Sequence, residues 1–172
     1  MSDEVSAVLA PHKNEILAQL EAVLRVSAMD NRGILTSPRR ALATAKQIGG
    51  LFFEMLTDAA NASQARPERS RKARPERSRR VEKLATDLVQ KGLTYETAAK
   101  AMQTLRQAVS GVSEDDPGIA LATLLIFNKF SDQFLSATAV GREILIAREQ
   151  ENYQTSLQDN LRTQIENQKL LA

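Results

Sequence analysis

The chain has 172 residues, 42% of them hydrophobic but only 4% aromatic, with a net charge of +2, a size that fits one domain with an appendage. The absence of cysteine excludes disulfides, thiolate metal sites and cysteine nucleophiles; any haem pocket, zinc site or histidine-based triad would have to be built around a single histidine, His12. The charge is uneven, because residues 65–80 hold seven Arg and one Lys against two Glu, a local balance of +6 that leaves −4 for the rest.

The Met-Ser-Asp-Glu start lacks the basic and apolar regions of a signal peptide. The longest apolar run, Ile119 to Phe127, is too short to span a bilayer. A cytoplasmic protein is expected. Leu, Ala, Val and Ile dominate the apolar set and no strand-like alternation occurs, so the fold class expected is all-α, about five helices with a long last one.

In chain order, a first helix is expected from Pro11 to about Ser27, with a looser helical turn before it. Ile16, Leu17, Leu20, Val23 and Leu24 form its apolar stripe, and Asp30-Asn31-Arg32-Gly33 supplies a stop. Ser37-Pro38 is a start signal, Ser37 as N-cap and Pro38 at the first helical position. The second helix runs to about Ala60 and is expected to bury Ala41, Leu42, Ala45, Ile48, Phe52, Met55, Leu56 and Ala59. Gly49-Gly50 inside it costs about 2 kcal/mol in helix propensity, which points to close approach of a neighbouring helix or to a hinge.

Residues 65–80 are two tandem octamers, Ala65 to Lys72 and Ala73 to Arg80, identical but for the last position. Rich in charge and proline and without an apolar residue beyond alanine, this insert is expected to be a disordered loop. The unit resembles translated short repeats found inserted in some bacterial genomes. As an alternative function, its arginines would neutralise nucleic-acid phosphates. No interleaved aromatic is present for base stacking.

Val81, Leu84, Ala85, Leu88 and Val89 mark a short helix that Lys91-Gly92 ends. Thr94 caps the next, whose buried face is Ala98, Ala101, Met102, Leu105 and Val109 and which Gly111 is expected to end. Asp116-Pro117 then opens a helix with no later proline, reaching Ala172; at 1.5 Å per residue it is about 84 Å long, against about 35 Å for the domain carrying it. Its first part is apolar nearly all round (Ile119, Leu121, Leu124, Leu125, Ile126), as in a helix through the centre of a bundle. Phe127, Phe130, Phe134, Ala137, Gly141 and Ile144 continue a core stripe. Tyr153, Leu157, Leu161 and Ile165 form a second stripe on a nearly opposite face, suited to a second copy of the helix in a homodimer. Gly141, where the faces exchange, is a possible hinge or a point of close helix approach. The expected organisation is therefore one helical sensor domain over 1–64 and 81–147, an insert over 65–80, and a distal connector over 148–172. The closing Leu170-Leu171-Ala172 gives the helix a truncated look.

Three segments together carry a family resemblance: Lys91-Gly92-Leu93-Thr94-Tyr95-Glu96-Thr97-Ala98 leading into Met102-Gln103-Thr104-Leu105-Arg106, the helix around Phe127 to Phe134, and Arg148 to Leu171. The chain resembles the N-terminal helical sensor domains of RsbR-type stressosome co-antagonists, relatives of anti-sigma-factor antagonists. The resemblance implies a bacterial signal-transduction input module, in some members globin-like without haem, whose long helix leads to a STAS-type output domain or partner. It implies no catalytic residues, cofactor or metal. Independently, no phosphate loop, acid–base pair or metal-ligand spacing is found. Asp115 and Asp116 are explained as helix-start carboxylates.

Overall fold

A computed structural model describes residues 2–30, 37–64, 67–113 and 116–171, with side-chain environments over 4–26, 37–59, 76–113 and 116–169. These residues form six α-helices: α1 (Ser2–Leu9), α2 (Lys13–Asp30), α3 (Pro38–Gln64), α4 (Pro67–Gln90), α5 (Tyr95–Val112) and α6 (Pro117–Leu171). Among the described residues there is no strand. The chain is all-α with a long final helix. The expected stop at 31–33 lies outside the described residues.

α1 and α2 are separated by a single 3-10 turn, Ala10–His12, where Pro11 interrupts the α-helical ladder. The looser turn expected before the first helix is thus a helix of its own, burying Val5 and Leu9. α2 buries Ile16, Leu20 and Leu24 at steps of four and packs on α3 and α5. Of the glycine pair in α3, only Gly49 marks a close approach. A methyl there would fall 2.3 Å from Leu17 Cδ2, whereas one at Gly50 would meet nothing within 4 Å. Leu42, expected in the core, is exposed, because Ala41, Thr44, Ala45 and Ile48 take the inward positions on either side of it.

The insert departs most from expectation. α4 begins at Pro67 and runs unbroken through the rest of both octamers into Val81–Gln90. Ala, Arg, Glu and Lys are good helix formers. Extending an existing helix also avoids the nucleation cost that an isolated segment of this composition faces. Arg77 Nε lies 3.2 Å from Asp58 Oδ2, and Arg80 pairs with Glu54, so α3 and α4 form a helical hairpin stitched by one half-buried and one exposed ion pair.

The end of α4 is sharply defined. Gly92 adopts φ 95°, its N–H donates to Val89 O (2.9 Å), and Leu93 N–H donates to Leu88 O (2.9 Å). This is a Schellman closure with the buried Leu93 as its apolar contact. Thr94 caps α5 by accepting from Thr97 N–H (3.2 Å). α5 continues past Gly111, which was expected to end it, to Val112; Ser113 closes it and its hydroxyl donates to Val109 O (3.0 Å). Asp116 opens α6, its Oδ1 accepting from Gly118 and Ile119 N–H (2.9 and 3.1 Å).

All five phenylalanines of the chain gather where α3 meets α6. Phe52 is the centre, with ring centroids 5.8 Å from Phe53, 6.0 Å from Phe127 and 5.5 Å from Phe130; Phe134 stacks on Phe130 at 6.0 Å. This cluster ties the proximal half of the long helix to the body.

Candidate interaction surface along the long helix

α6 has a wet side and a dry side. The dry side is Ile119, Thr123, Phe127, Phe130, Phe134, Thr138 and Gly141. The two threonines return their hydroxyls to their own helix, Thr123 to Ile119 O (2.7 Å) and Thr138 to Phe134 O (2.8 Å), so burial leaves neither unsatisfied. The helix is apolar on this side and also carries leucines on the other. Leu121 and Leu125, expected inside the bundle, are each 62% exposed. α6 forms one wall of the body and does not run through its centre.

α4 lies beside α6 and runs in the same direction: Glu82 and Thr86 flank Asp132, Ser136 and Val140, and Val89 reaches Gly141. A methyl at Gly141 would lie 3.6 Å from Val89 Cβ and 3.7 Å from Thr86 Cα. The structure thus places this glycine at a close helix approach, and α6 is continuously helical through it. Where α4 stops, so does the burial of α6. Leu145 is half-buried, and every described side chain from Ile146 onward is exposed. Ile144, expected to continue the core stripe, is 58% exposed. The Gly92 closure has already turned the chain away at this level of α6, so the neighbouring helix no longer covers it.

From Ile146 to Leu171 the helix continues for about 38 Å, with none of the other described elements packed on its described side chains. On it Tyr153, Leu157, Leu161 and Ile165 keep their apolar groups in solvent, Tyr153 being 71% exposed. They share one side, with Ile146 joining them, and face away from the dry side of the proximal half. The flanks are polar and carry the ion pair Arg162–Glu166 (3.5 Å).

No family model, curated protein or solved structure matches this chain.

Elsewhere, His12 sits exposed in the 3-10 turn, 3.6 Å from Glu15. Among the described residues no three metal-capable side chains gather, and no helix is long and apolar enough to cross a membrane. The groove between α3 and α4 is lined by mixed charges (Lys46, Glu54, Arg80, Lys83, Asp87) around Gly50 and Leu51. The exposed pair Leu121 and Leu125 is the feature that sequence reasoning misplaced. Its signal was available as helical phase: both leucines fall on the side of the distal stripe, not on that of the phenylalanines.

Proposed function

We propose that this chain is the input module of a bacterial cytoplasmic signalling protein, self-associating through α6 and relaying a signal along it to a STAS-type output domain or partner. The observation that carries the reading is the distal half of α6. A helix that leaves its body with Leu and Ile in one stripe places those groups in water at a cost of about 1.5–3 kcal/mol for each side chain that burial would stabilise. A second copy of the helix removes that cost by two-fold pairing. The family resemblance supports the same reading, since there too a long helix leaves a helical sensor.

The physical route for a relay is short. The phenylalanine cluster fastens α6 to α3, and the Gly141 contact fastens it to α4. A displacement of α3 or α4 by a stimulus moves α6 as a rod, because no break interrupts it between Phe127 and Leu171. Sedimentation equilibrium of the purified chain tests the assembly: a dimer is expected at micromolar concentration, dissociated by Leu157→Asp with Leu161→Asp. A monomer at high micromolar concentration refutes the reading.

A further inference from the structure

We infer that the contact between two copies is not confined to the distal connector but runs along α6 from Leu121 to Ile165, on the side opposite the body. The inference rests on the dimer reading above and extends it to the proximal half. Leu121 and Leu157 are separated by about ten whole helical turns, and so are Leu125 and Leu161, which puts both Leu-x-x-x-Leu pairs on one side of the rod about 54 Å apart. All four leucines are exposed. Between the pairs the same side presents Asn128, Glu143, Ile146 and Gln150, all exposed, with Asp132 at its edge beside α4. The helices of the body pack on the opposite side through Phe127, Phe130 and Phe134, and α4 reaches round only to the edge at Asp132 and Ser136, so among the described residues none covers Leu121 or Leu125.

The occupant is argued from that spacing. It must offer apolar groups at two points about 54 Å apart, along a straight element, with a stretch between them that is polar except at Ile146. A bound peptide of ordinary length or a globular patch covers one pair and leaves the other wet. A second α6 has the required length and the same two pairs, and leucine pairs meet leucine pairs whichever way it runs. In this assembly the proximal half of α6 is held between its own phenylalanine cluster and the partner's helix. A change in the body is then felt at the dimer contact directly, not only at the far end of the connector.

Sedimentation equilibrium of the full chain tests this with three paired comparisons. Leu121→Asp with Leu125→Asp is expected to raise the dimer dissociation constant at least tenfold, as Leu157→Asp with Leu161→Asp does. The uncharged pair Leu121→Gln with Leu125→Gln is expected to weaken it in the same direction, with helical content and thermal unfolding of the body unchanged. Ile144→Asp, equally solvent-exposed but about 140° around the helix from Leu121, is expected to leave the dimer intact. Wild-type affinity in both proximal variants, with the distal variant dissociated, overturns the extended contact and leaves a distal dimer standing. Dissociation by Ile144→Asp to the same degree overturns the assignment of the side. A monomeric intact chain overturns the dimer itself.

Discussion

Gly141 on α6 lies against Val89 on α4, so close that an added methyl would sit 3.6 Å from Val89 Cβ, yet not closer than ordinary contact. Gly141→Ala is therefore expected to fit, and to raise stability by up to about 1 kcal/mol, because alanine is the better helix former and the backbone here is helical. Gly141→Leu has no such room and is expected to cost about 1–3 kcal/mol by forcing α4 and α6 apart. Urea unfolding of the two variants checks the pair; a destabilised alanine variant would restore the view of Gly141 as a bend.

Phe130 is fully buried and joins the rings of Phe52 and Phe134. Phe130→Ala is expected to cost about 3–5 kcal/mol from lost transfer energy and the cavity left behind. Phe130→Leu should recover a large part of that. Chemical denaturation measures both. A loss below about 1 kcal/mol for the alanine variant would mean that α6 is not fastened to α3 by this cluster.

The adjacent glycines of α3 are expected to respond differently. Gly50→Ala meets open space and should stabilise by about 1 kcal/mol. Gly49→Ala places its methyl 2.3 Å from Leu17 Cδ2, so the half-buried leucine must turn away and most of the propensity gain is lost. Thermal unfolding of the two single variants should rank Gly50→Ala above Gly49→Ala; the reverse order contradicts the α2–α3 contact described above.

Deleting the first octamer, Ala65 to Lys72, is expected not to lower stability. Pro75 now lies inside α4, where it supplies no N–H to the ladder and an interior proline costs about 3 kcal/mol. In the shortened chain Pro75 takes the place that Pro67 holds now, at the first turn, where proline is well tolerated. Arg77 and Arg80 keep their carboxylate partners Asp58 and Glu54. A loss of more than about 1 kcal/mol on unfolding would show that the first octamer has packing of its own.

Local signals in the sequence are legible because their causes are local. Thr94, Asp116 and Gly92 act on backbone groups within a few residues, and each closes or opens a helix where its chemistry places it. The apolar faces of α3 and α5 follow from periodicity, except that Leu42 is exposed and Ala59 only half-buried. The failures share a different cause. The stripe that points Ile144 into the core continues past the point where the neighbouring helix ends, and that point is set by Gly92, some fifty residues earlier in the chain. For Leu121 and Leu125, apolar residues all round a helix suggest burial all round. Here they lie on the outer side of a wall. The composition of the insert points to a loop because it has nothing to bury, but a helix continuous with a packed one can extend through such a tract.

The octamer has a consequence for how this gene can change. Each unit is a whole number of codons and brings its own helix-opening proline near its start, followed by the arginines that meet α3. Slippage by one unit during replication therefore preserves the reading frame and rebuilds the same hairpin from the copy that remains. The packed segment from Val81 to Gln90 stays in place. Between α3 and α4 the protein has a length it can vary by inheritance without renegotiating its core.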